Sequence, residues 1–200
     1  NRAASHGRFV HLYLNGLYWG VYNLHERPDD NFAATYQGGD HSEYDVVRNT
    51  QSLFEVAAGD ANAWTAMMEL VRGDLSSNAQ YEQLQQYLDV DSFIDYMIVN
   101  QYAGNTDWAN HNWYAFRKRE AGAGFQFVSW DAEFTLQNVT DNVTGLNQYG
   151  TPTEIHSYLR NNAEYRLRFS DRVQQHFGPG GLLYVDADWP AVDPAHPERN

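Results

Sequence analysis

Two periods share this chain, one of two residues and one near 3.6. From residue 8 to 25 the pattern alternates: Phe9, His11 and Tyr13 interleave with Val10, Leu12 and Leu14. Asn15-Gly16 then supplies the positive-φ pair of a tight turn, and a return strand follows from Leu17 to Leu24, so the segment reads as a β-hairpin. Pro28-Asp29-Asp30-Asn31 is a turn and helix-start signal, Gly38-Gly39-Asp40 a second break, and Glu43 to Arg48 a short strand. The period then lengthens. Trp64, Met67, Met68 and Val71 predict a helix over 61–72, and Tyr81, Leu84, Tyr87 and Leu88 one over 78–88. Asp89 or Asp91 can cap a third, over 91–103, which is rich in buried-type residues and ends at Gly104.

Residues 105–112 are polar and read as a loop. Strands at 112–117 and 125–130, joined through Gly122 and Gly124, come next. A long loop over 137–152 and helices at 153–160 and 163–177 complete the order. Strands, then helices, then a hairpin, then helices is an α+β arrangement; a doubly wound parallel sheet would alternate strand and helix. The expectation is one domain over residues 1–185 and a Pro- and Asp-rich tail over 186–200 that frays. No internal repeat is present, and the start at Asn1, with no Met, suggests a fragment of a longer protein.

Composition narrows the function classes. The 200 residues carry 13 Lys plus Arg against 26 Asp plus Glu, a net charge of −13, and Lys118 is the single lysine. A non-specific nucleic-acid binder needs a basic footprint, so no nucleic-acid partner is expected. Such an acidic chain would need a divalent metal to receive phosphates. The absence of cysteine excludes disulfides, thiolate metal sites and cysteine nucleophiles. No apolar run is long enough to span a membrane, and the eight histidines never reach the spacing of a helical zinc motif.

The informative stretch runs from Gly104 to Arg117 and on from Phe125 to Glu133. A polar loop holds Asp107 and, five residues later, Asn112; a hairpin then delivers Asp131 after Trp130. Protein kinases use such a set. One Asp accepts the acceptor hydroxyl's proton, an Asn five residues on binds Mg²⁺, and a second Asp past a hairpin binds Mg²⁺ against the phosphates. Asn and Asp supply the hard oxygen ligands that Mg²⁺ takes. The same residues also suit turn capping, so spacing alone leaves both readings open. His111 reads as a hydrogen-bonding loop residue.

The sequence resembles the CotH kinase family, the spore-coat protein H group of atypical protein kinases. The resemblance starts at Leu12-Tyr-Leu-Asn-Gly-Leu-Tyr-Trp-Gly-Val-Tyr-Asn-Leu-His-Glu26. It continues through Asn31-Phe32, Gly38-Gly-Asp40, Tyr44-Asp45, Leu88-Asp-Val-Asp-Ser-Phe93, Asn105-Thr-Asp-Trp108, Asn112, Trp130-Asp131 and Phe169-Ser-Asp-Arg-Val173. It implies a kinase-like fold, with a sheet-rich N-terminal and a mainly helical C-terminal portion. It also implies ATP with Mg²⁺ or Mn²⁺ and transfer to Ser or Thr of a protein substrate. By resemblance Asp107 is catalytic, Asn112 and Asp131 hold metal, and Arg48, with Glu26, steadies the phosphates. A bacterial protein, secreted or on a cell or spore surface, is implied too. Two departures stand out: the family often carries Lys where this chain has Arg48, and no Gly-x-Gly-x-x-Gly loop is present. The alternatives are a pseudokinase or display module on the same fold and, third, a glycosidase using Asp107 and Asp131 as paired carboxylates.

Overall fold

The computed structural model describes residues 4–50 and 53–185. The expected tail over 186–200 lies outside these residues. Six strands and six helices are present among them: β1 (Gly7–Leu14), β2 (Leu17–His25), α1 (Asp30–Gln37), β3 (Tyr44–Thr50), β4 (Leu53–Ala58), α2 (Asn62–Val71), α3 (Asn78–Leu84), α4 (Val90–Tyr102), β5 (Trp113–Lys118), β6 (Gln126–Ser129), α5 (Pro152–Leu159) and α6 (Ala163–Phe177). The class is α+β with two antiparallel sheets.

β1 and β2 form a two-stranded sheet of their own. Asn15 at φ 50° and Gly16 at φ 80° make the turn that matches strand twist. The register slips at Leu12/Tyr13, leaving Trp19 opposite no residue. Both faces of this ribbon are largely exposed, with Phe9, Leu17 and Trp19 each more than half accessible. Its base is tied down: Glu26 N–H donates to His6 O at 2.9 Å, and the Tyr36 hydroxyl donates to the Glu26 carboxylate at 2.8 Å.

The larger sheet has the order β4-β3-β5-β6 and is antiparallel throughout. Its inner strands read as near-continuous apolar runs because both faces are covered. Tyr44, Val46, Tyr114, Phe116 and Val128 point to one side and pack with Phe32 and Ala33 of α1. Val47, Trp113, Ala115 and Phe127 point to the other, into the main core built by α2, α4, α5 and α6. Val47↔Ala115↔Phe127 and Val46↔Phe116 are cross-strand partners, so the period-two pattern feeds two cores at once. Full burial of each large side chain contributes about 1.5–3 kcal/mol.

The helices are fixed by caps and ion pairs as well as by packing. Asp89 accepts from Ser92 N–H and caps α4. Asn162, fully buried, caps α6 with its oxygen and donates its amide to Leu75 O at 2.9 Å. Arg72 grips Glu154 through two 2.9 Å bonds, joining α2 to α5. Arg168–Asp91, at 2.7 Å, and Arg172–Asp95 join α6 to α4.

The sequence expectations differ from this picture in two places. β4 is not legible, because Leu53-Phe-Glu-Val-Ala-Ala is an exposed edge strand without a buried face. α3 stops at Leu84, four residues early, and the chain turns so that Asp89 N–H and Tyr87 O can bond Phe125. β5 and β6 come from the second half and pair with β3, because Trp113–Phe116 and Phe127–Val128 offer apolar residues to both faces.

His156 of α5 is buried against Tyr165 and Phe169, with Nδ1 2.7 Å from the Tyr165 hydroxyl. Burial, and secondarily the Arg160 charge, pushes its pKa down to about 4. The unfolded chain therefore takes up the proton first. Stability from this residue is intact above about pH 6.5 and is lost as pH falls toward 4, on the order of 3 kcal/mol in all. Urea unfolding across that window is expected to show the loss, and His156→Gln is expected to flatten it; equal slopes in both proteins would refute the assignment.

Candidate functional site

The site begins where α4 ends. Gly104, at φ 55°, turns the chain off the helix, and Asn105 N–H bonds Asn100 O at 3.1 Å. A buried amide network then holds the departing loop. Asn105 Nδ2 donates to Asn100 Oδ1 at 3.0 Å. Asn100 Nδ2 donates to Tyr96 O at 2.8 Å and to Ser129 Oγ of β6 at 3.2 Å. Asn105 Oδ1 accepts the Asp107 N–H at 3.2 Å. Trp108 and Ala109 are buried, and Trp108 meets Tyr96 edge-on at 5.5 Å. Loop 105–112 is polar where it faces out and anchored where it faces in.

Asp107 and Asn112 are brought together on this loop. Asn112 Nδ2 donates to Asp107 O at 2.9 Å and lies 3.3 Å from Asp107 Oδ2. His111 Nε2 contacts the other carboxylate oxygen, Oδ1. The Asp107 side chain is thus held from both sides. Both bonds use the Asn112 amide nitrogen, so its Oδ1 is the atom of that side chain able to ligate a cation.

Asp131 arrives by sheet register. Trp113 pairs with Ser129, and the ladder runs one step further: Trp130 N–H donates to Asn112 O at 3.2 Å. Beyond Asp131 the chain is tied back again, with Thr106 N–H donating to Phe134 O at 3.2 Å and Leu136 N–H to Ala103 O at 2.7 Å. The segment carrying Asp131 is therefore fastened to both ends of loop 105–112. Asn112 at φ 62° and Asp131 at φ 50° are two of the four non-glycine residues at positive φ among the described residues. Asn and Asp tolerate that region best, and outliers of this kind gather at functional sites. Asp131 is exposed, and its carboxylate has no hydrogen-bond or ion-pair partner among the described residues.

The other two expected residues are not paired with each other. Arg48 sits on the α1 side of the sheet, where it bonds Glu55 of β4 at 2.9 Å and the Tyr114 hydroxyl at 2.9 Å. Antiparallel pairing sets Arg48 directly opposite Glu55 and Tyr114, which satisfies the guanidinium locally. Glu26 instead takes the His6 N–H at 3.0 Å and the Tyr36 hydroxyl. Those two bonds, the backbone one first, hold its carboxyl below the ordinary range.

Residues 1–178 match the CotH kinase protein family. The chain belongs to that family. No curated protein sequence matches it closely enough to count as a relative. CotH kinase membership implies ATP and a divalent metal, and the donor set can be tested against that. Among the described residues no three His, Asp or Glu side chains gather into a metal cage. An amide oxygen from Asn112 and a free carboxylate from Asp131 are nonetheless hard oxygen donors on adjoining chains. They suit Mg²⁺, which keeps several waters and takes one or two carboxylates plus phosphate oxygens. The residues present fit the group.

Beside β6 this CotH kinase domain has a cavity of about 640 Å³, lined by Tyr96, Val99, Phe116, Phe127, Val128 and Ser129 among others. The Tyr96 hydroxyl is buried without a hydrogen-bond partner among the described residues. Sequence reasoning missed Asn100, Asn105 and Ser129, the residues that position the loop. The available signal was Asn100 itself, the one amide side chain on the mostly apolar buried face of α4. Asn105→Ala would leave Asn100 Oδ1 and the Asp107 N–H without partners, at a cost of about 1–3 kcal/mol. Urea unfolding is expected to register that loss, and hydrogen exchange is expected to quicken at Asp107. Unchanged exchange there would show that the network does not hold the loop.

Proposed function

We propose that this domain transfers the γ-phosphoryl group of ATP to a Ser or Thr hydroxyl of a protein substrate. One observation carries the reading: Asp107 and Asn112 touch on a loop bonded at both ends to the segment that bears Asp131. Little covalent chemistry is asked of a protein in phosphoryl transfer; positioning and charge stabilisation do the work.

Each residue then has a role. Asp107, held by His111 and Asn112, receives the proton of the acceptor hydroxyl as its oxygen bonds to phosphorus and the bond to the β-phosphate oxygen breaks. Asn112 Oδ1 and the Asp131 carboxylate would hold the metal. A bound divalent ion supplies neutralisation of charge on the β- and γ-phosphate oxygens. The cavity beside β6 has the size and lining of a small-molecule pocket, and Ser129 in its lining lies two residues from Asp131. At about 3.3 Å per residue along a strand, a nucleotide base in that cavity keeps its phosphates within reach of Asp131.

A second reading has a specific observation in its favour. Protein kinases need a phosphate-binding cation paired to a helix Glu, and here Arg48 is committed to Glu55 while Glu26 is bound to His6 and Tyr36. A pseudokinase that displays a surface fits that arrangement.

Two variants separate the roles. Asp131→Ala is expected to abolish transfer of labelled phosphate and also to weaken metal-dependent ATP binding, because the carboxylate serves ground state and transition state alike. Asp107→Ala is expected to keep ATP binding while turnover falls by roughly two to four orders of magnitude. Circular dichroism checks that both remain folded. Equal loss of ATP binding in the two would reverse the roles, and a parent that binds ATP without transferring phosphate would favour the pseudokinase.

A further inference from the structure

With Arg48 neutralised by Glu55, the phosphate-facing cation must come from elsewhere, and the α1 side of the sheet offers one. Arg48, Tyr114, Trp130 and Arg27 follow one another across it. The Arg48 guanidinium lies 5.6 Å from the Tyr114 ring, Tyr114 meets Trp130 at 5.4 Å, and the Arg27 guanidinium lies 5.9 Å from the centre of Trp130. Trp130 is the residue immediately before Asp131.

Arg27 is exposed, and among the described residues no carboxylate pairs with it and no acceptor takes its side-chain N–H groups. Arg48, Arg72, Arg119, Arg168 and Arg172 all have acidic partners. Exposed Arg8 and Arg160, like Arg27, have no acidic partner among the described residues, and it is the place over Trp130, next to Asp131, that sets Arg27 apart. Its backbone is also fixed in place. Asp29 N–H donates to Arg27 O at 2.8 Å, Pro28 is buried, and the preceding Glu26 N–H is bonded to His6 O. The ring of Trp130, flanked by His25 at 5.0 Å, gives the guanidinium an aromatic rest of the kind that holds cations without consuming their hydrogen bonds.

An unpaired guanidinium matters more in this chain than in most. With a net charge of −13 the protein as a whole repels a polyphosphate, so a local cation beside the metal donors has to reverse the field where the phosphates enter. Arginine's fork of donors matches a phosphate in two bonds at once.

We infer that Arg27 is a polyphosphate-binding residue, taking the terminal phosphates of the nucleotide across Trp130 from Asp131. The inference deepens the phosphoryl-transfer reading and rests on it, but it concerns binding alone, so the two can fail separately. Calorimetric titration of the whole chain with ATP and with inorganic tripolyphosphate, each with Mn²⁺, tests it. Arg27→Gln is expected to weaken both ligands about tenfold or more, the scale of a charged hydrogen bond, and to lessen the salt dependence of binding. Arg166→Gln, at an exposed position of α6, is expected to leave both unchanged. Parent-like binding by Arg27→Gln would overturn the inference, as would a parent that binds neither ligand. Tripolyphosphate binding that depends on Arg27, in a parent that transfers no phosphate, would support the inference while removing the kinase reading.

Discussion

A sheet buried on both faces governs the rest of this molecule. β5 and β6 present Trp113, Ala115 and Phe127 to one core and Tyr114, Phe116 and Val128 to the other. A slip of one residue would exchange the two sets, so the register is set by packing. Everything near the site is positioned from that register. The step from Trp113↔Ser129 to Asn112 and Trp130 is the last rung of the ladder, and Asn112 and Asp131 lie within one residue of it. The chain leaves the sheet there on both strands, at positive φ on each.

The second constraint is the cost of burying amides. Loop 105–112 runs between the end of α4 and the start of β5, with Trp108 and Ala109 buried beneath it. A buried backbone needs its hydrogen bonds filled, and here side chains do part of that work. Asn100, Asn105 and Asn112 each use their amides on backbone or neighbouring polar groups of the loop and its support. The Asp107 backbone N–H and C=O are both satisfied by such side chains, which orients its carboxylate before any ligand arrives. Preorganisation of this kind is what phosphoryl transfer asks of a protein.

Much of this was legible in the residues. Alternation gave the hairpin at 8–25 and Asn15-Gly16 its turn; helical spacing gave α2, α4, α5 and α6 close to their ends. The spacing of Asp107, Asn112 and Asp131 marked one region, and CotH kinase membership over residues 1–178 agrees with the resemblance read from the same stretches. What remained hidden was cross-chain. Nothing local in Leu53–Ala58 says that it lines the edge of a sheet, and nothing in Arg48 says that Glu55, seven residues on, will face it from the neighbouring strand. Nothing local to Arg27 says that its guanidinium will lie over the ring of Trp130, 103 positions later. Pairings of that kind are decided by strand register, which local patterns do not encode.

The central claim is that loop 105–112 and the Trp130–Asp131 corner form one metal–nucleotide site. Paramagnetic broadening tests it most directly. On titrating Mn²⁺ with ATP into the ¹⁵N-labelled chain, the amide signals of Asp107, Asn112 and Asp131 are expected to broaden first and together, with residues along β6 following. Broadening that begins elsewhere, at the acidic residues of α4 for example, or that reaches Asp131 without touching Asp107 and Asn112, would contradict the account.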